Sequence, residues 1–261
     1  MIIFNSIFEN KINIVIGKEI INSFPKHIHD SYCINTVTKG KLAFKFKDNT
    51  QIVKTNELLI INPNISHSVK ILDYEYASYN VICIKKKSFN DFLNLDKNQK
   101  LIFISKTIKD KKTVYHLKKI FDSLLNNNTD NIKYNIMKFI DTIYNRYSLK
   151  NKNTEIKTKK TLKALTYIDN NYKTIFSLNQ IADNDNLSPY HFTRIFTSEI
   201  GIPPYNYLIN KKIKESLKLL INEQSIIDTA LELGFYDQSH FTRFFKKHIG
   251  VSPGDYIKYN S

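Results

Sequence analysis

The sequence predicts an α+β protein in two parts: a β-rich N-terminal half that closes into a barrel or sandwich and carries a helical pair, then an all-α half built from a duplicated helix–turn–helix. Three observations predict it. His191-Phe192-Thr193-Arg194-Ile195-Phe196 recurs as His240-Phe241-Thr242-Arg243-Phe244-Phe245; short apolar or alternating runs fill Ile20 to Ile84 between turn signals; and apolar residues return at helical spacing between Thr113 and Tyr147.

In chain order, the runs Leu42-Ala43-Phe44-Lys45-Phe46-Lys47 and Glu57-Leu58-Leu59-Ile60-Ile61 read as strands. Lys39-Gly40, Asp48-Asn49 and Asn62-Pro63-Asn64 separate them as turns. Many short strands at this spacing suggest a closed or double sheet. Next, Leu117, Ile120, Phe121 and Leu124 mark one helix face, and Ile136, Phe139, Ile140 and Ile143 mark another. The polar stretch Asn126-Asn127-Asn128-Thr129-Asp130 joins them and can cap the second. Residues 149–160 are polar, basic and aperiodic, which reads as a linker between a sensor part at 1–148 and a helical part at 161–261.

The repeat extends beyond its core. At an offset of 49, Gly201 matches Gly250, Pro204 matches Pro253 and Tyr207 matches Tyr256; upstream, Ala182, Asn186 and Leu187 match Ala230, Gly234 and Phe235 at 48, so the second turn gains one residue. Each copy reads as helix, tight turn, helix. Asn186 and Gly234 stand where the turn needs a left-handed residue. Ser188-Pro189 is a helix-start signal, and Asp237 plays the capping part in the second copy. Phe192, Ile195 and Phe196, like Phe241, Phe244 and Phe245, fall at core spacing. The opposite faces carry Tyr190, His191, Thr193 and Arg194, then Gln238, Ser239, His240, Thr242, Arg243 and Lys247.

Those are side chains that read base edges or grip phosphate. Only three of 39 basic residues are arginine, and two of them, Arg194 and Arg243, occupy matching repeat positions. Where lysine is the default cation, a retained guanidinium suggests a forked, planar donor of the kind that contacts guanine bidentately.

Residues from about 159 to the C-terminus resemble the DNA-binding domain of AraC/XylS-family transcriptional regulators. Ser177 to Ala182 with Leu187 to Phe196 resembles its first helix-turn-helix, Ile226 to Phe235 with Asp237 to Lys247 its second, and Gly250 to Tyr256 the end of its signature. The resemblance implies seven helices, with Tyr205 to about Asn222 as a stiff connector. Independently, Leu208, Ile213, Leu217, Leu220 and Ile221 are spaced for burial there, and Lys211, Lys212, Lys214 and Lys218 for exposure. A stiff spacer suits two helices that must meet successive major grooves about 34 Å apart. Ser216, where the family has a small apolar residue, and the acidic Asp183 and Asp185 depart from the pattern.

Pro25-Lys26-His27-Ile28-His29-Asp30, Gly40 and Asn62-Pro63-Asn64-Ile65-Ser66-His67 resemble the cupin-like sensor at the N-terminus of this regulator family. In metal-binding cupins two such histidines, a glutamate and a later histidine hold an ion. The residues after His29 are Asp30, Ser31, Tyr32, Cys33 and Ile34, without that glutamate, so no metal or other cofactor is expected. His27, His29, Tyr32, Phe44, Phe46 and His67 are instead the candidate effector-binding residues, subject to the strand's register.

A net charge of +15 favours a polyanionic partner, yet residues 1–154 hold 25 basic against 13 acidic side chains and residues 155–261 hold 14 against 11. Many lysines are therefore read as a compositional habit. Cys33 and Cys83 show neither CxxC spacing nor a disulfide framework, which fits a reducing compartment. No signal peptide or long apolar segment is legible, so a cytoplasmic protein without membrane contact is expected.

The reading is thus a non-enzymatic, sequence-specific, effector-responsive regulator, with activation the commoner family outcome. Double-stranded DNA is its partner; RNA polymerase, a small-molecule effector and a second copy of the chain are the others the resemblance admits. Arg194 and Arg243 lead the base contacts, followed by Tyr190, His191, Thr193, Gln238, Ser239, His240 and Thr242, with Ser188, Lys246 and Lys247 on phosphate. The alternatives are a metal-dependent cupin-type enzyme using His27, His29 and His67, and an alkyl-accepting repair regulator, which the two scattered cysteines do not equip.

Overall fold

The computed structural model describes residues 2–7, 11–72, 76–95, 101–126, 132–149, 159–174 and 188–260. Nine strands come first: β1 Ile2–Ile7, β2 Ile12–Ile20, β3 Phe24–His27, β4 Ser31–Lys39, β5 Lys41–Lys45, β6 Thr50–Lys54, β7 Leu58–Ile61, β8 His67–Ile71 and β9 Ala77–Lys85. They form a five-stranded sheet in the order β1-β2-β9-β4-β7 and a four-stranded sheet in the order β3-β8-β5-β6. Every strand pairing within the sheets is antiparallel. The predicted turns sit between strands, with Gly40 at φ 81° in the β4–β5 hairpin and Asn64 at φ 62°.

The larger sheet is buried on both faces, which explains why β7 reads as an unbroken apolar run. Leu59 and Ile61 join Val37, Leu42, Phe44, Val69 and Tyr79 between the sheets. Leu58 and Ile60 face the other way and join Ile34, Tyr32 and Ile82 beneath a helical layer. That layer is α1 Lys86–Phe92, α2 Lys111–Leu125 and α3 Ile132–Tyr147, the last two being the predicted pair.

Asp110 caps α2 by accepting from the amides of Lys112 at 2.9 Å and Thr113 at 3.3 Å, and also holds Arg146 and Tyr147 of α3. The third arginine is thus a structural partner. The polar turn expected to cap α3, at 127–130, lies outside the described residues.

The C-terminal half contains α4 Lys159–Asn171, α5 Pro189–Ile200, α6 Pro204–Ile221, α7 Ile226–Glu232, α8 Gln238–Ile249 and α9 Pro253–Asn260. Lys159 and Lys160, expected in the linker, begin α4. Residues 150–158, and 175–187 with the first helix and turn of the first repeat, lie outside the described residues. One core joins α4 and α5 to α6 through Ala164, Ile168, Phe192, Phe196, Ile200 and Leu208. A second gathers Ile209, Ile213, Leu220, Ala230, Leu233, Phe235, Phe241, Phe245 and Tyr256. The connector α6 therefore spans both.

Its burial stripe differs from the predicted one in two places. Ile221 is 50% exposed, because α6 ends there, whereas Lys212 is 4% exposed and donates from Nζ to the Gly234 carbonyl at 2.9 Å. Burial of the Lys212 ammonium lowers its pKa. Ser216 is fully buried and returns its hydroxyl to the Ile213 carbonyl at 2.7 Å, so a small polar residue fits where the family has a small apolar one.

Cys33 and Cys83 correct another expectation. They lie directly opposite one another on β4 and β9 with Cα atoms 4.2 Å apart, and they form a disulfide. Strand pairing makes neighbours of cysteines that their separation in sequence leaves apart. The inference from unpaired thiols to a reducing compartment loses its support.

Candidate nucleic-acid interface and sensor site

The two repeat helices present the faces the sequence assigns to them. Ser188 caps α5 by accepting from the His191 amide at 3.3 Å, and Asp237 caps α8 by accepting from the His240 amide at 2.6 Å. Both helices end on left-handed glycines, Gly201 at φ 87° and Gly250 at φ 92°. Phe192 and Phe196, like Phe241 and Phe245, are buried, while Ile195 and Phe244 are half-buried at the edge of each core.

Tyr190, Arg194, Gln238, Ser239, Arg243, Lys246 and Lys247 are exposed. His191, Thr193, His240 and Thr242 are half-buried, and two of these are engaged within the fold. The Thr193 hydroxyl donates to the Pro189 carbonyl at 2.8 Å, and the His240 ring packs against Phe244 with centroids 5.0 Å apart. Those two position the face more than they extend from it.

Around Arg243 the surface is concave, lined by Tyr236, Asp237, Ser239 and His240. Tyr236 is 89% exposed and was not among the sequence candidates. It occupies the residue by which the second turn is longer than the first, and that insertion was the available signal. Tyr190, 80% exposed, stands at the start of α5. Each reader thus carries a projecting tyrosine at or just before the start of its helix and an exposed arginine further along, about one turn after Tyr190 in α5 and about two turns after Tyr236 in α8.

The effector candidates divide. His27 and His67 form a cross-strand pair on β3 and β8 with ring centroids 4.4 Å apart, and His29 lies 4.9 Å from His67. Phe46 and Phe44 stack beside His67 at 5.9 and 6.4 Å. Tyr32 does not belong with them. It faces the helical layer, 1% exposed, packed on Phe89 and Phe103, with its hydroxyl donating to the Leu101 carbonyl at 2.8 Å. Side chains alternate along β4, so the disulfide at Cys33 points between the sheets and Tyr32 must point out.

Burial lowers the pKa of all three histidines: His29 falls to about 3, helped by the neighbouring His27, and His67 falls well below its ordinary value. All three rings are therefore neutral near pH 7.

This cluster lies against the helical half. Lys214 of α6 meets Asp30 at 2.7 Å, and Ile28 packs onto the core shared by α4, α5 and α6. The repeat-matched glycines at the ends of α5 and α8 are both seated on the β-rich half. A Cβ on Gly201 would fall 2.0 Å from the Ser66 hydroxyl, and one on Gly250 would fall 2.6 Å from Ile2. No signal in the sequence announced this seam.

Two family models match the chain: a helix-turn-helix domain over residues 181–259 and an AraC-like ligand binding domain over residues 19–94. An HTH-type transcriptional activator of Providencia stuartii, AarP, is 30% identical over 99 residues, 37% of this chain and 73% of its own. The chain belongs to the AraC/XylS family of transcriptional regulators.

An uncharacterised HTH-type regulator of Bacillus subtilis, YbfI, is 27% identical over 240 residues, 85% of this chain and 82% of its own. In fold, this AraC/XylS-family regulator is similar to ToxT of Vibrio cholerae, with a TM-score of 0.63 at 16% identity, covering 96% of this chain and 98% of that one. These likenesses support a DNA-binding regulator and not the enzyme alternative. Among the described residues no helix is long and apolar enough to cross a membrane.

Proposed function

We propose that this regulator reads two successive major grooves of double-stranded DNA with α5 and α8, and that an effector bound in its β-rich half controls how those helices are held. In this reading residues 1–148 are the sensor and 161–261 the reader, and the protein is a cytoplasmic non-enzyme that activates transcription. The base contacts are Arg194 and Arg243, flanked by Tyr190, Gln238, Ser239 and Tyr236; Lys246 and Lys247 take phosphate, and Ser188 contributes mainly as a cap.

The observation that carries the proposal is the double seat: the C-terminal ends of both reading helices rest on the sensor, at Ser66 and at Ile2. A change of sensor shape at either place alters the relation between the two readers, and two readers linked by a stiff connector bind DNA only in register with its grooves. A relative supports the role of a ligand in principle, since ToxT has been crystallised with an unsaturated fatty acid.

The seat is tested with Ser66→Leu, which wedges the contact at Gly201. Binding of the full chain to duplexes whose half-sites differ in spacing should show an altered spacing preference, with far-ultraviolet circular dichroism unchanged. Identical preference in wild type and variant would refute the coupling.

A further inference from the structure

His27, His29 and His67 each offer a ring nitrogen, and these atoms lie within 4.8 Å of one another. The rings are oriented from behind. His27 Nδ1 donates to the Pro25 carbonyl at 2.7 Å, and His67 Nδ1 donates to the Ile65 carbonyl at 3.0 Å. A carbonyl only accepts, so both ring protons sit on Nδ1 and both Nε2 lone pairs are free. This backbone support is what fixes imidazole ligands around an ion.

His29 supplies a second, independent sign. Its Nδ1 is buried and makes no well-formed hydrogen bond, although the Ser31 backbone lies close to the ring, so this donor set leaves room for a further partner. The neighbouring carboxylate, Asp30, is committed to Lys214 at 2.7 Å, so the donor set is three neutral imidazoles. The glutamate absent from the sequence pattern does not remove the site: three imidazoles suffice for zinc and its neighbours, leaving a fourth position open.

We propose that His27, His29 and His67 bind one imidazole-preferring divalent transition-metal ion, Zn²⁺ foremost, and that this ion is the effector that resets the sensor's seat on the two reading helices. The second half of the proposal rests on the seating described under Proposed function; the first does not. The coupling follows from what flanks each ligand. Ile28 packs on the core beneath α5, Asp30 pairs with α6, and Ser66 touches the end of α5.

Metal–nitrogen bonds of about 2.0–2.1 Å bring tetrahedral ligand atoms to about 3.3 Å apart. From a spread of up to 4.8 Å the cluster must contract by up to about 1.5 Å. Ring rotation supplies part of that contraction, and the remainder is drawn from the backbone that carries Ile28, Asp30 and Ser66 to those contacts.

The test uses the full chain, stripped with chelator and titrated separately with Zn²⁺ and Co²⁺. One ion per chain is expected, with the visible ligand-field spectrum of a four-coordinate, nitrogen-ligated Co²⁺ and a metal-dependent rise in melting temperature. His29→Ala should abolish the Co²⁺ spectrum while retaining the fold, because no well-formed hydrogen bond of its Nδ1 is lost; His67→Gln is the second variant. Absence of a stoichiometric ion, or a spectrum unchanged in both variants, overturns the site.

Affinity for a duplex selected from a random pool by the metal-free chain should then change at least about fivefold on Zn²⁺ loading, the lower end of allosteric couplings. An ion that binds without changing that affinity overturns the effector role and leaves the site standing. The Ser66→Leu experiment, run without metal, reports on the seat alone, so failure of either idea is recognised separately.

Discussion

Replacing Gly234 with alanine should cripple the second reader through two separable effects. The residue sits at φ 64° in the turn between α7 and α8, where an L-residue costs about 1–2 kcal/mol. A Cβ there would also lie 2.4 Å from the Lys173 carbonyl oxygen, a backbone atom that cannot rotate away, and 3.2 Å from the Lys212 ammonium that donates to Gly234. Relieving the overlap moves the α4–α5 side of the domain or disturbs a buried charge-assisted hydrogen bond, itself worth about 1.5–3 kcal/mol. The sum is a loss of about 2.5–5 kcal/mol. Urea unfolding followed by circular dichroism measures the loss, and a gel shift reports the accompanying fall in DNA affinity. Asparagine tolerates the left-handed conformation but keeps the Cβ, so Gly234→Asn should recover the strain and not the collision. An alanine variant as stable as wild type would refute the account of this turn, and an asparagine variant as stable as wild type would refute the collision.

Arg243→Ala should cost about 1–3 kcal/mol on specific DNA and relax choice at one base; equal losses on specific and scrambled duplexes would reduce Arg243 to a phosphate contact. Tyr32→Phe should cost about 0.5–1.5 kcal/mol of stability by removing the bond to Leu101 and leave Co²⁺ binding unchanged, whereas loss of the Co²⁺ spectrum would return Tyr32 to the sensor site. Although burial opposes it, hydrogen bonds from Tyr147 and Thr113 hold the Asp110 carboxyl below its ordinary pKa. A depressed pKa stabilises the fold above the unfolded value, near pH 4, and that contribution disappears as pH falls through the native one. The stability gap between wild type and Asp110→Asn should therefore be full at pH 6 and close progressively below about pH 4; a gap independent of pH would show that the charge is not what matters.

Much of this architecture was legible because it is written locally. Ser188-Pro189, Asp237, Gly201 and Gly250 announce helix ends through backbone chemistry that needs no distant partner, and the offset of 49 aligned two reading faces before any contact was known. The helical pair and the turns around Gly40 and Asn64 follow from periodicity and left-handed preference in the same way. The candidate site was legible in part: the three histidines were named together, yet Tyr32 was placed with them because alternation fixes which residues share a face and not which face is inward.

By itself, then, the sequence determined the two-part plan, the repeated reader and the chemistry of its exposed faces, since caps, spacing and side-chain type act within a few residues. Only the tertiary structure decided what depends on long-range register: the Cys33–Cys83 pairing, the outward turn of Tyr32, the burial of Lys212 beneath Gly234, and the convergence of His27, His29 and His67 at the seam. Those relations arise when strands far apart in sequence come to lie side by side and two halves press together, and no local pattern in the chain encodes which atoms then meet.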